Sequence, residues 1–444
     1  MGVARSLWWP PIFGKEERLS GSLTITASEV IPELFELPWD LALEDWPEET
    51  IAALPKGISR HIVRFIHLGD HIVAVKETTE PLAIREHDML HKLNRLDVPC
   101  VEPVAIVSGR ATKKGEALPA ALVTRHLRFS LPYRALYSQT LRPDTATRLA
   151  DALAVLLVRL HIVGFFWGDV SLSNTLFRRD AGSFAAYLVD AETGELMPGS
   201  LSDGQRENDL EIARVNVAGE LLDLQAGGRL DEDIDPVEVA HSILDSYRSL
   251  WGELTGWESF DQSERWRIAQ RVQRLNELGF DIENMSISRD DSGSTLRIQP
   301  KVVDAGHHTR RLLRLTGIDA GENQARRLLN DMDSYRAIHF PGDDVDEEMA
   351  AHQWLSEVYD PVILSIPKEY RGKLEPAEIF HQWLEHRAER SRKEDRDVSR
   401  EESIESYVSE VLQFRRDEAM VTGPPTEAIT LPNPTIELNW RDRI

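Results

Sequence analysis

The sequence predicts an α+β fold of two lobes followed by a mainly α-helical C-terminal domain. Three observations carry that prediction. Short β-branched runs surround one helix between residues 51 and 128. A helix apolar on nearly every face, Leu149–Ile162, opens a second and larger segment. Beyond residue 230 the apolar residues recur at helical spacing through most of the remaining chain.

Each element has its own signal. Residues 1–50 are acidic and carry Trp8, Trp9, Trp39 and Trp46 among prolines, which predicts an extension laid over a domain. Strands are expected at Ser59–Ile66 and His71–Lys76 about a Gly69-Asp70 turn, then a helix over Pro81–Leu93, then strands at Val101–Val107 and Ala120–Thr124. These make a small lobe, residues 51–128. In the second lobe, residues 129–230, Asp144 is the expected N-cap of the central helix. A strand follows at Ala185–Val189, and a helix over Asp209–Leu224 ends at Gly227-Gly228. Residues 231–420 read as a helical domain, with apolar spacing in Val237–Trp251, Trp266–Leu278 and Arg310–Leu329. The mixed charges of residues 385–417 predict a solvated helix, and the proline-rich residues 421–444 an extended tail.

Charge narrows the function. The 444 residues include 51 Lys+Arg and 75 Asp+Glu, a formal net charge of −24. A general nucleic-acid binder needs a basic footprint, so that class is disfavoured. The charge is uneven, however: residues 51–150 hold 15 basic against 9 acidic side chains, a lobe suited to an anionic ligand. Arg310, Arg311, Arg314, Arg326 and Arg327 beside His307 and His308 form a second basic stretch, read as a solvated face. Cys100 is the single cysteine, so no intrachain disulfide can form and a reducing compartment is favoured. No secretory signal and no charge-free apolar run of membrane length is visible, which together predict a cytoplasmic protein without a membrane span.

The chemistry concentrates in a few residues. Gly168-Asp169-Val170-Ser171-Leu172-Ser173-Asn174 follows the buried helix, and Leu188-Val189-Asp190-Ala191-Glu192 places an aspartate at the end of an apolar strand. Upstream, Val73-Ala74-Val75-Lys76 lies on a strand and Glu86 on the next helix. Alternate strand residues share a face, so Lys76 stands beside Ala74 and Ile72, where an ammonium would border a small apolar surface. Glu86 shares its helix face with Leu82, Met89, Leu90 and Leu93. A carboxylate there is costly unless paired, and Lys76 is the natural partner. Asp169 could orient an acceptor hydroxyl and take its proton, while Asn174, Asp190 and Glu192 offer hard oxygen ligands for Mg²⁺. Taken singly, each has a bland reading: an edge lysine, a glutamate reaching water, an Asx turn.

In order and in placement these residues resemble the protein-kinase-like superfamily over about residues 55–225. The resemblance implies a bilobal fold, ATP and Mg²⁺, a Lys76–Glu86 pair, Asp169 as catalytic aspartate, and Asn174 and Asp190 as metal ligands. It also implies that Asp209 anchors the catalytic loop through backbone hydrogen bonds. Within the superfamily, Leu160-His161-x-x-Gly164-x-x-x-Gly168-Asp169 and Ala83-x-x-Glu86 resemble the lipopolysaccharide-kinase-like branch. The whole chain is similar to actinobacterial, hence bacterial, proteins that fuse such lobes to an uncharacterised helical domain. Such organisms generally lack lipopolysaccharide, so the branch name is not carried over as the substrate.

The departures are informative. Trp167 stands where many kinases place histidine, and Asp190-Ala191-Glu192 replaces Asp-Phe-Gly. The phosphate-cradling loop is reduced to Pro55–His61, where Gly57, Ser59 and Arg60, with Lys56, are the expected nucleotide contacts. No Ala-Pro-Glu segment follows Asp190, and only 18 residues separate it from Asp209. That spacing favours a small-molecule, lipid or glycan acceptor over a peptide. The expected function is a Mg²⁺/ATP-dependent phosphotransferase. A non-catalytic nucleotide-binding scaffold, with a partner protein on the helical domain, and a nucleotidyl transferase using the same residues are the alternatives.

Overall fold

The computed structural model describes residues 22–52, 62–69, 71–137, 141, 143–261, 264, 266–277, 279–289, 295–340 and 346–419. The chain forms two lobes followed by a mainly helical C-terminal region. Gly57, Ser59 and Arg60, with Lys56 and Asp70, lie outside the described residues, as does the expected tail at 421–444.

The first lobe is a five-stranded antiparallel sheet. Its strands are β1 (Thr24–Ala27), β2 (Val63–Leu68), β3 (His71–Thr78), β4 (Pro103–Ser108) and β5 (Ala120–Arg125), in the order β1-β4-β5-β3-β2. Helix α1 (Glu80–Arg95) packs against β4 and β5. The N-terminal segment does more than cover this lobe, because β1 extends the sheet at its edge. Leu34, Trp39, Leu43 and Trp46 then fold over one face, onto Val73, Val75, Val104 and Val123. The two indoles meet edge to face with centroids 5.1 Å apart.

The period of two along β3 sorts its side chains. Val73, Val75 and Glu77 point at the N-terminal segment; Ala74 and Lys76 point the other way, at the cleft between the lobes. Glu77 is buried and accepts from the Leu43 amide at 3.1 Å and from Arg110 Nη1 at 2.9 Å. Arg110 also donates to the carbonyls of Trp39 and Leu41.

The second lobe forms around one central helix. Its elements are β6 (Ser130–Pro132), α2 (Tyr133–Leu136), α3 (Pro143–Ile162), β7 (Phe165–Phe166), β8 (Thr175–Asp180), β9 (Ser183–Leu188), β10 (Glu195–Leu196) and α4 (Asp203–Ala226). Helix α3 begins at Pro143, so Asp144 is not its cap. It lies in the first turn, where a carboxylate suits the helix dipole, and pairs with Arg148 at 3.3 Å. The strand β8 was not expected, because its Arg178-Arg179-Asp180 ending looks like a loop in sequence. In the fold β8 pairs with both β6 and β9.

Helix α5 (Pro236–Thr255) packs on α3 and α4. Its Ile243, Leu244 and Tyr247 share one apolar cluster with Leu153 and Leu157 of α3. Helix α5 thus shares the apolar core of the second lobe.

Residues 231–420 are mainly helical, as expected, but they also hold a second antiparallel sheet that was not anticipated. It comprises β11 (Glu258–Asp261), β12 (Phe280–Arg289) and β13 (Thr295–Ala305), in the order β11-β13-β12, with α6 (Trp266–Glu277) between β11 and β12. Alternating Leu296-x-Ile298 and the turn-forming composition of residues 290–293 carry the hairpin signal, which the helical spacing on either side obscures.

The rest is a helical bundle: α7 (His307–Thr316), α8 (Glu322–His339), α9 (Glu347–Trp354), α10 (Asp360–Ser365), α11 (Pro376–Glu394) and α12 (Arg400–Glu410). It packs around Trp354, Phe380, Trp383 and Tyr407. Residues 385–417 are not one solvated helix. Asp395, at φ 53°, ends α11, and α12 folds back so that the Trp383 indole donates to Ser403 Oγ at 2.9 Å. Among the described residues, no helix is long and apolar enough to cross a membrane.

Candidate active site

Four elements meet at the cleft. Strand β3 presents Lys76, α1 presents Glu86, the loop after α3 presents Asn174, which is bonded to Asp169, and the end of β9 leads to Asp190 and Glu192. The cleft has a volume of about 410 Å³, within the range of small-molecule sites, and Val63, Ala74, Leu122, Leu176 and Val189 give it apolar walls.

Lys76 is the centre of charge. Its Nζ lies 2.9 Å from Glu86 Oε2, 2.7 Å from Asp190 Oδ2 and 3.2 Å from Glu192 Oε2. Burial works against its ammonium, yet Glu86 and Asp190 outweigh that and raise its pKa above the ordinary lysine value. Glu86 is only 1% exposed. Burial, reinforced by the nearby Asp190, pushes its carboxyl up to about 7 against the pull of Lys76. Carboxylate oxygens of Glu86, Asp190 and Glu192 all lie within 4.8 Å of one another.

The opposite wall is a loop held by helix α4. Gly168 adopts φ +75°, a left-handed turn immediately before Asp169. Asp209 accepts the amides of Trp167 and Gly168, each at 2.7 Å, as expected of an anchor for this loop. It also lies 3.2 Å from His161 Nε2, and His161 Nδ1 lies 2.7 Å from the Tyr247 hydroxyl. Burial lowers the pKa of His161, so the ring is neutral. The acceptor-only carboxylate then assigns the proton to Nε2, leaving Nδ1 to accept from Tyr247.

Two further residues of α4 were not legible as site residues. Glu220 accepts the amides of Leu172 (2.7 Å) and Ser173 (3.0 Å), and Asn216 donates to the Val170 carbonyl at 3.0 Å. Asp209, Asn216 and Glu220 stand at i, i+7 and i+11, so they form one polar stripe on a helix whose buried residues are otherwise apolar. That spacing was the available signal.

The sequence-predicted residues thus fall into two sets. Lys76, Glu86, Asp190 and Glu192 form the first, and Asp169 with Asn174 the second. Asn174 Nδ2 donates to Asp169 Oδ2 and to the Asp169 carbonyl, both at 3.0 Å, and Asn174 lines the cleft together with Asp190. Trp167 joins the sets. Fully buried, it donates its indole N–H to the Asp190 carbonyl at 2.9 Å. Arg85 of α1 reaches the Gly194 carbonyl at 3.1 Å, a further tie between the lobes. Glu418, from the end of the helical region, also lines the cleft, which nothing in its local sequence signals.

The second basic stretch is largely consumed by structure. Arg311 pairs with Asp333 and Glu347, Arg314 with Glu347, and Arg327 with Glu385. His308 meets Glu322 at 2.7 Å, and the His307 and His308 rings contact each other edge to face.

Comparison with known proteins agrees with this geometry. Residues 67–212 match the model of the lipopolysaccharide kinase (Kdo/WaaP) family, and residues 249–412 match a domain of unknown function, DUF4032. No curated protein matches the chain. A solved structure of WaaP in complex with acyl carrier protein is similar at 14% identity and a TM-score of 0.30, over 52% of this chain and 90% of that one. A likeness that distant adds nothing to the geometry above. By sequence match, the chain joins a segment similar to the lipopolysaccharide kinase family to a domain similar to one of unknown function.

Proposed function

We propose that the cleft is the site of a Mg²⁺/ATP-dependent phosphotransferase, which moves the γ-phosphate of ATP to a hydroxyl of a small-molecule, lipid or glycan acceptor. The observation that carries this reading is the Lys76 cluster, in which one buried ammonium contacts Glu86, Asp190 and Glu192. A lysine kept for solubility would not be buried among three carboxylates.

The residues fit a hard divalent cation. Glu86, Asp190 and Glu192 offer carboxylate oxygens within 4.8 Å of one another, the hard donors that Mg²⁺ takes. Asp190 and Glu192, with Asn174 on the same cleft, would hold it; once bound, the ion would neutralise charge on the phosphates.

The protein's own groups supply the rest. The apolar walls about Ala74 accept the adenine ring, and Lys76, oriented by Glu86, contacts the phosphates. The acceptor hydroxyl attacks the γ-phosphorus, the bond to the β–γ bridging oxygen breaks, and ADP leaves. Asp169 orients the attacking hydroxyl and takes its proton. Asn174, bonded to Asp169, keeps that carboxylate aimed. Gly57, Ser59 and Arg60 remain proposed phosphate contacts.

Calorimetric titration of ATP with and without Mg²⁺ tests the reading. Mg²⁺-dependent binding that disappears in Lys76→Met and in Asp190→Ala is the expected outcome. A folded parent protein that binds no nucleotide in either buffer would refute it.

A further inference from the structure

The hairpin β8–β9 has a site residue immediately outside each of its two ends. Asn174 precedes Thr175, the first residue of β8, and Asp190 follows Leu188 by two. The ladder continues to that base, where Thr175 pairs with Leu188 and the Val189 amide donates to the Asn174 carbonyl at 3.0 Å. The far end is a two-residue turn, Ala181-Gly182, with both φ angles positive (49° and 79°), the geometry of a tight type I′ connection. About five residue steps, on the order of 17 Å, separate tip from base.

That tip is held by the C-terminal region. Asp180 is 2% exposed. Its carboxylate accepts the Asn323 amide (3.1 Å), Asn323 Nδ2 (3.1 Å) and the Gln324 amide (2.8 Å) at the start of α8. Helix α8 is preceded by Gly321, which has no side chain to cap it, so Asp180 performs the N-cap role from another part of the fold. Only glycine permits the approach: a Cβ at residue 321 would lie 2.5 Å from Asp180 Oδ1.

The grip extends along the hairpin. Gln324 Nε2 donates to the Arg179 carbonyl at 2.9 Å, and the Ala181 amide donates to Glu378 at 3.0 Å. Arg178 pairs with Glu375, and Arg179 with Glu418 at 2.8 Å. Buried polar networks of this kind fix one arrangement more than they add stability.

We infer that Asp180 is a positioning residue, and that the region matching DUF4032 serves as the seat that sets the spacing of Asn174 and Asp190 through the β8–β9 hairpin. The consequence for Mg²⁺ rests on the phosphotransferase reading; the mechanical coupling from tip to base does not. Outer partners that orient metal ligands are worth about 10–100-fold in metal affinity, which sets the scale.

The experiment compares the full-length parent protein with Asp180→Ala and Gly321→Ala, which disturb the same contact from opposite sides. Asp180→Asn, which keeps one acceptor oxygen, serves as the milder variant should the alanine not fold. Amide hydrogen exchange is followed at the tip (residues 180–183) and at the base (Thr175 and Val189), without nucleotide. ATP affinity is then measured with and without Mg²⁺. The expected result is faster exchange at tip and base alike, with Mg·ATP affinity lowered about 10-fold or more and Mg²⁺-free ATP affinity unchanged. Faster exchange confined to the tip would overturn the inference, as would an equal loss of both affinities. If the parent binds no nucleotide, the phosphotransferase reading falls, while the exchange comparison still decides the coupling.

Discussion

Lys76 and Glu77 are neighbours on β3, yet they enter two buried charge clusters of opposite character. Glu77 meets one guanidinium, Arg110, whose Nη1 donates to the same oxygen, Oε1, as the Leu43 amide; the pair ties the N-terminal segment to the sheet. Lys76 on the other face meets three carboxylates, whose oxygens lie within 4.8 Å of one another as a cation's ligands would. The first pair joins two parts of the fold, whereas the second gathers hard oxygen donors at the cleft. Burial alone does not separate structural from functional charge; the set of partners each group meets does.

Substitutions on the two faces should therefore separate stability from chemistry. The largest expected effect is on turnover: Asp169→Ala should lower phosphoryl transfer by about 10²–10⁴-fold while leaving ATP affinity near that of the parent. Loss of affinity in the same proportion would contradict the assigned role. Next comes Glu77→Ala, which strands Arg110 as a buried, unpaired charge. It should cost about 3–5 kcal/mol of unfolding free energy in denaturant titration, more than Glu86→Gln costs. The reverse ranking would break the comparison.

Smaller effects sharpen it. Burial pushes the Glu86 carboxyl up to about 7 in the folded protein, above its ordinary value of 4.5. The folded protein therefore binds more protons than the unfolded chain between those values. The stability Glu86 contributes is full below about pH 4.5 and is lost as pH rises through about 7. In magnesium-free buffer the melting temperature should fall across this window by a few degrees more in the parent than in Glu86→Gln, since ~1 kcal/mol moves a unit of 150–250 residues by about 2–4 °C. Identical slopes would show that Glu86 does not titrate there. The smallest change is expected from Trp167→Phe, which removes one hydrogen bond to the Asp190 carbonyl. Its cost should be about 0.5–1.5 kcal/mol, with reduced turnover and an intact fold.

Much of the architecture was legible because local pattern and tertiary role coincide. Lys76 alternates with Val73 and Val75, and Glu86 sits on a helix stripe with Met89, Leu90 and Leu93, so period alone pointed both at the cleft side. The Asp209 anchor followed from resemblance, and the hydrogen bonds to Trp167 and Gly168 bear it out. What escaped is what depends on distant chain. Arg178-Arg179-Asp180 looks like a polar loop until Glu375, Glu418 and α8 supply its partners. Glu220 looks like a surface glutamate until the loop after Asp169 lies across it. The β12–β13 hairpin was missed because the helices flanking it dominate the periodicity. Pocket-lining Glu418 comes from the far end of the described chain, where no local spacing could announce it.

The most direct test follows the label from ATP. Purified protein is incubated with Mg²⁺ and with ATP labelled at either the γ- or the α-phosphate, in the presence of fractionated small-molecule, lipid and glycan pools. The expected result is transfer of the γ-label to one pool, dependent on Mg²⁺ and abolished by Asp169→Ala, with the α-label remaining in ADP. Transfer of the α-label would mean nucleotidyl chemistry. ATP-induced stabilisation that persists in Asp169→Ala, with no transfer of either label by the parent, would mean a non-catalytic nucleotide scaffold. Either of these results would contradict phosphoryl transfer at this site.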